Sequence, residues 1–196
     1  MLGYELLRLA RDADPFRAVI GAAGRPLDQL RAATGETALL AVPVGRTEME
    51  IVLQLDASHI VGVTNWVGAH PPLQASSAGK LLLAELSQPE LEAWLSEHSL
   101  DGGTETAVHD AAVLRRELEL ARRRGWAAIV DELEVGLVSL SAAVRDRDGA
   151  LVGMVGVSGP TFRLGPRRRR EVLGHVLEAA AGSTALLREP APSASP

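Results

Sequence analysis

Cysteine is absent from the 196 residues, which removes disulfides, thiolate nucleophiles and thiolate metal sites together. A chain with no need of disulfides suits a reducing cytosol, so a cytoplasmic location is expected. No apolar run approaches the ~18 residues that a membrane span requires. Met1-Leu2-Gly3-Tyr4-Glu5 has no basic region leading into an apolar one, and no signal peptide is expected. An excess of positive charge is also missing. The formal net charge is −5, which argues against the chain as a whole gripping phosphates.

What remains is a globular balance. The apolar fraction is 46%, ordinary for a folded domain, and the length fits one generous domain. Leu2, Leu6, Leu7 and Leu9 stripe a short helix within Leu2–Arg11. A second helix opens with Asp14 as N-cap and Pro15 in its first turn, with Phe16, Val19, Ile20, Ala23, Leu27 and Leu30 inward, a kink at Pro26 and Gly35 as its stop. The period then switches to two. Thr37–Val44 and the alternating Met49, Ile51, Leu53 and Leu55 predict an antiparallel hairpin.

Helices are predicted over Ala75–Leu86, Ser87–His98 and Asp110–Arg124. The second has a capping box of Ser87 and Glu90, and the third ends at Gly125. Trp126–Val130, Leu137–Arg145 and Ala150–Ser158 read as strands, the last two joined by a two-residue turn at Asp148-Gly149. A final helix from Gly165-Pro166 turns Val172, Leu173, Val176, Leu177, Ala180 and Ala181 inward, and residues 188–196 form a disordered tail. Hairpins bracketed by helices give an α+β domain over residues 1–187, a mainly antiparallel sheet covered by helices, with a leading N-terminal helix.

Chemistry-bearing patterns are few. Ser77-Ala78-Gly79-Lys80 matches the S-x-x-K nucleophile motif, but its companion S-D-N and K-T-G motifs are missing. A small-residue helix start, with backbone N–H groups free to meet a ligand, explains it as well. Gly79-Lys80 fails as a phosphate loop because Gln74 and Leu81 stand where glycine and a hydroxyl belong. Pro160 spoils the nucleophile elbow at Gly156-Val157-Ser158-Gly159. His59, His70, His98, His109 and His175 show no ligand spacing, so no metal or other cofactor is implied. Glu132 and Glu134 are too loosely placed for acid and base roles. Arg167–Arg170 reads as a solvated helix start rather than a nucleic-acid face. Gly153, Gly156 and Gly159 in the last strand mark either tight helix-on-sheet packing or a ligand's close approach. Ser139, Ser141 and Ser158 share those strands, and a few hydroxyls on an apolar surface suit a small-molecule pocket.

With these residues in view, the chain resembles the effector-binding domain of IclR-type bacterial transcriptional regulators. Leu2-Gly3 with Leu6-Leu7, Thr34–Thr37, Pro72–Lys80, Arg124-Gly125-Trp126, Glu132 with Gly136, Ser141–Val144 and Ser158-Gly159-Pro160 carry the likeness in order. The resemblance implies a GAF-like curved antiparallel sheet flanked by helices, and a homodimer or homotetramer. It also implies a pocket for a small organic acid, lined by Val63, Pro71, Ser77, Ala78, Ile129, Leu137, Ser139, Gly156 and Ser158. Backbone N–H groups near Ser77 and Ala78 would meet the anionic end. Ile129 stands where glyoxylate-type members can carry aspartate, Gly156 where they carry serine, and Ser139 at a position that is often cysteine, which favours a larger and more apolar effector. Family members begin with a winged helix-turn-helix, and none is read in this chain; operator DNA would be reached only through such a unit. The expected role is therefore sensing and oligomerisation, with no enzymatic activity. The alternatives are a standalone metabolite-binding module and a serine hydrolase using Ser77 and Lys80.

Overall fold

The computed structural model describes residues 15–188. The expected helix over Leu2–Arg11, the Asp14 cap and the tail beyond Arg188 lie outside the described residues. Helix α1 (Arg17–Thr34) begins after Phe16, with Pro15 in the turn before it, and runs through Pro26 as one helix. It ends where Gly35 takes a left-handed φ of 72° and donates its N–H to the Arg31 carbonyl.

Strands β1 (Thr37–Val44) and β2 (Glu48–Leu55) form the expected hairpin. After a long connection come a 3-10 turn (Leu73–Ala75) and the helices α2 (Ser77–Ala84), α3 (Gln88–Glu97) and α4 (Ala111–Arg124). Strands β3 (Trp126–Val130), β4 (Leu137–Arg145) and β5 (Leu151–Pro160) and helix α5 (Pro166–Arg188) complete the described residues. The strands form one sheet in the order β2-β1-β5-β4-β3, antiparallel at every pairing. This is the α+β architecture expected.

Because side chains alternate along a strand, each face of the sheet carries one parity of residues. Leu40, Val42, Val138, Leu140, Val155 and Val157 face α1 and α5 and make one core cluster with Leu27, Val172 and Val176. The other face, with Ala41, Ala127 and Met154, packs on α2, α3 and α4 through Leu83, Leu91, Trp94 and Leu114. The second face holds the site.

Four local expectations are corrected. In β2 the register slips opposite Leu40/Ala41: Ile51 pairs with Ala41 but Leu53 with Leu40. This β-bulge leaves Val52 as the extra residue and reverses the facing of all that follows. Met49 and Ile51 therefore lie on the α2 face, whereas Leu53 and Leu55 pack against the α1–α5 core. Between β4 and β5 the turn is longer than two residues. Asp146 donates its N–H to the Ala150 carbonyl, and its carboxylate accepts from the N–H of Asp148 and Ala150 at 3.0 and 2.9 Å.

The predicted helix over Ala75–Leu86 is broken at Ser76. That residue is extended (φ −121°, ψ 144°), and its hydroxyl accepts the Gly79 N–H at 3.0 Å, so α2 starts at Ser77. In α5 the buried stripe runs Val172, Val176, Ala179, Ala180, Ser183, leaving Leu177 and Ala181 exposed. A helix wedged between one sheet face and α1 buries a narrower strip than the expected pattern assumed.

The remaining caps agree with expectation. Ser87 and Glu90 form a capping box, Asp110 caps α4 through the Val113 N–H at 2.8 Å, and Gly125 closes α4 at φ 73°.

Candidate functional site

The register places the site's floor row by row. One row across the sheet runs Ile51, Ala41, Met154; the next runs Gln54, Leu39, Gly156, Ser141; a third runs Ser158, Ser139, Ile129. Ala41 and Gly156 are small and sit mid-floor, so a hollow remains where larger residues would fill the gap to α2. The N-terminus of α2 bounds it from above, with Pro71 and Trp66 from the long connection and Leu133 from the β3–β4 connection.

About 480 Å³ lies between these walls, mouth included, but only about 40 Å³ of it is open to the centre of a water molecule. The smaller figure decides how much fits without movement. A few waters fit; a ring-sized molecule must move a wall.

Pro71, Ser77, Ala78, Ile129, Leu137, Ser139, Gly156 and Ser158 border this one cavity. Val63 does not. It stands with Thr64, Glu134, Val135 and Pro160 around a separate depression, because the connection between β2 and the 3-10 turn brings Trp66 rather than Val63 over the mouth. Ser141, noted with Ser139 and Ser158 as a pocket hydroxyl, also borders the cavity, as do Leu39, Ala41, Met49, Ile51, Trp66, Leu133 and Met154, which were not singled out from the sequence. Strand parity could have found Met154, two residues from Gly156. The bulge hid Met49 and Ile51 among apparent core residues.

The polar groups form one chain. Ser77 Oγ lies 2.9 Å from Ser139 Oγ and 2.7 Å from Ser141 Oγ, and Ser158 Oγ donates to Ser139 Oγ at 3.0 Å. All four serines are buried. Four hydroxyls carry four protons, and three contacts join them, so one proton is left for a further acceptor. No hydrogen bond among the described residues uses the N–H of Ser77 or of Ala78, as expected for the first residues of a helix. These N–H groups and the helix dipole favour an anion at this wall.

Lys80 is turned away from this chemistry. Its ammonium donates to Glu117 at 2.7 Å and to Glu132 at 2.6 Å, and its side chain is 3% exposed. It does not hydrogen-bond Ser77, whose hydroxyl meets only other hydroxyls. A serine nucleophile activated by a lysine base is joined to it by such a contact; here two carboxylates hold the Lys80 ammonium instead. Burial pushes the Glu132 carboxyl above its ordinary range, with the Lys80 hydrogen bond opposing it. Glu132 is thus the partner of Lys80 rather than of Glu134.

The three strand glycines separate by neighbour. A Cβ on Gly153 would come within 3.0 Å of Val19 on α1, and one on Gly159 within 2.5 Å of the Glu36 carboxylate. That carboxylate is gripped by Arg163 at 2.6 and 2.7 Å. Both glycines answer to packing. Only Gly156 belongs to the cavity, where a Cβ would lie 2.6 Å from Ser141 Oγ. In the basic run, Arg168 pairs with Glu171 at 2.7 Å and donates to the last carbonyl of α1, at Thr34, at 3.1 Å.

The sequence pattern described as "Bacterial transcriptional regulator IclR C-terminal" matches residues 17–183. The chain belongs to this family. Among curated proteins it is similar to the HTH-type transcriptional repressor AllR of Escherichia coli strain K12, 34% identical over 148 residues, which is 76% of this chain and 54% of that protein. The chain thus spans about half the length of the curated relatives it matches. Its fold is similar to that of Thermotoga maritima IclR, with a TM-score of 0.83 at 24% identity, covering 95% of this chain and 75% of that one. An IclR homologue from Microbacterium hydrocarbonoxydans, solved with 4-hydroxybenzoate, superposes with a TM-score of 0.81 at 24% identity over 93% of this chain and 73% of its own. Among the described residues of this IclR-type domain, no helix is long and apolar enough to cross a membrane.

Proposed function

We propose that this domain senses a small, mainly apolar organic acid, an aromatic one above all, and passes the binding event to operator DNA through a winged helix-turn-helix unit as part of a cytoplasmic homo-oligomer. The observation that carries the reading is the cavity itself. Unpartnered N–H groups of Ser77 and Ala78 and one spare hydroxyl proton meet in an otherwise apolar hollow. The acid's carboxylate lies on the N–H groups, and its hydrocarbon body lies on the apolar walls, where burial contributes about 25 cal/mol per Å². Ile129 and Gly156 offer no polar partner to a two-carbon acid. The Microbacterium homologue's complex with 4-hydroxybenzoate supports an aromatic acid as the first candidate.

A thermal-shift screen of aromatic and aliphatic acids tests this. A true effector at 100 times its dissociation constant adds about 2.7 kcal/mol of stability. A panel in which no acid moves the melting temperature would remove the reading. Residues 1–196 alone are expected not to select a DNA sequence, given the net charge of −5. Sequence-preferring, salt-sensitive gel shifts by this chain would contradict that.

A further inference from the structure

We infer that Trp66 is a specificity-determining residue of the cavity, its indole forming the wall that selects flat, largely apolar acids, and that Gln54 is the positioning residue that holds it there. The inference rests on the proposed binding of an acid in this cavity and names what that acid must look like. It begins with the bulge at Val52. Without the slip, Gln54 would face the α1–α5 core and Leu53 and Leu55 would share the site face with Ile51; with it, Gln54 enters the row with Leu39 and Gly156.

Placed there, the Gln54 amide is used at both ends. Its Oε1 accepts the backbone N–H of Trp66 at 2.9 Å, and its Nε2 donates to Asp56 Oδ1 at 2.6 Å and to the Thr64 carbonyl at 3.3 Å. The segment then follows the free edge of β2: Gly68 N–H donates to the Ile51 carbonyl at 3.0 Å, and His70 Nδ1 meets the Met49 carbonyl at 3.2 Å. The connection is a strap tied along an edge strand, and it delivers the half-buried Trp66 indole to the cavity.

The row Gln54–Leu39–Gly156–Ser141 spans three inter-strand steps, about 14 Å at ~4.8 Å each. Trp66 therefore comes from the β2 side and the hydroxyls stand on the β5–β4 side. A molecule bridging them needs a polar end and a flat apolar body. Indole faces favour aromatic partners, and the thioethers of Met49 and Met154 suit a ring's edge. The hollow now has room for only a few waters, so such a ring must move a wall on entering, and the indole is the wall it packs against. Trp66 reports the event directly.

The test uses residues 1–196 with Trp94→Phe and Trp126→Phe, which leaves Trp66 as the single tryptophan of three. The probes are 4-hydroxybenzoate and, as a small acid, acetate. 4-Hydroxybenzoate is expected to shift Trp66 emission and protect it from acrylamide. Trp66→Ala is expected to weaken 4-hydroxybenzoate about tenfold by calorimetry, with Trp66→Phe restoring most of the loss and acetate indifferent to both. Gln54→Leu is expected to raise acrylamide quenching about twofold with the far-UV circular dichroism unchanged.

Unchanged affinity in Trp66→Ala, or binding that leaves Trp66 emission untouched, overturns the specificity role while the proposed function stands. Unchanged quenching in Gln54→Leu overturns the positioning role. If 4-hydroxybenzoate does not bind but an aliphatic acid raises the melting temperature, selection of flat acids is wrong and acid sensing survives. If no acid of either kind binds, both readings fall.

Discussion

The ammonium of Lys80 stands 2.6 Å from the carboxylate of Glu132, joining the helix that roofs the cavity to the connection that carries Leu133. A second carboxylate, Glu117 on α4, lies 2.7 Å from the same nitrogen. The group that made Ser77-Ala78-Gly79-Lys80 look like a nucleophile motif is therefore a tether. Removing one member of a buried pair is costlier than the pair is worth, because the other charge stays behind.

Lys80→Met is accordingly expected to lower stability by about 3 kcal/mol at neutral pH, read by urea denaturation. The loss has a pH sign. Glu132 already has a carboxyl raised by burial, so the folded state holds its proton more tightly than the unfolded state. Stability from this group is full below the unfolded carboxylate range and falls as pH rises through the folded value. Without Lys80 the value rises further, so the deficit of Lys80→Met should be smaller near pH 4.5 than near pH 7. An equal deficit at both would show that Glu132 is not the charge left behind.

Gly156→Ser is expected to fail as a way of making the cavity more polar. Even a Cβ there would come within 2.5 Å of the Leu140 carbonyl and 2.6 Å of Ser141 Oγ. Overpacking of this kind costs about 1–3 kcal/mol, and pairing it with Ser141→Gly should recover part of the loss. Denaturation midpoints of the single and double variants check this. No recovery would place the strain against the β4 backbone rather than the serine.

Ile129→Asp sets a carboxylate at a position 1% exposed, in the row with Ser139 and Ser158. It is expected to weaken an aromatic acid about tenfold or more and to lower the melting temperature, since a buried charge without a partner is costly. Calorimetric binding equal to the parent's would remove Ile129 from the ligand's surroundings.

The capping box of α3 gives a second pH statement. The Glu90 carboxyl is lowered to about 2, first by the Ser87 hydroxyl, then by the Ser87 N–H and by Arg46. A depressed carboxylate contributes stability above its unfolded value and loses it as pH falls toward the folded one. Carbon-detected NMR should find Glu90 titrating near that value, and Ser87→Ala should move it toward the ordinary range. A Glu90 midpoint unmoved by Ser87→Ala would assign the shift to the backbone N–H of residue 87 and to Arg46.

Much of this molecule is local, and the local part was legible in the sequence. Gly35 and Gly125 stop helices because only a residue without Cβ takes positive φ cheaply, and Ser87, Glu90 and Asp110 cap helices through neighbours within three residues. Alternation announced the first hairpin, and the order of elements announced an antiparallel sheet with helices. Most of the residues expected at a pocket do meet at one cavity, because each already sat at a strand or helix position of the right parity. What the tertiary structure decided concerns facing and partnership across distance. One extra residue in β2 turned Gln54 toward the site and Leu53 away, and no propensity distinguishes Val52 as a bulge. Lys80 found Glu117 and Glu132 rather than Ser77, and the three glycines of β5 acquired three different neighbours. Trp66 replaced Val63 at the cavity because hydrogen bonds to a strand formed many residues earlier set where the strap lies. Such pairings arise only when distant segments are packed together, so a one-dimensional pattern carries no trace of them.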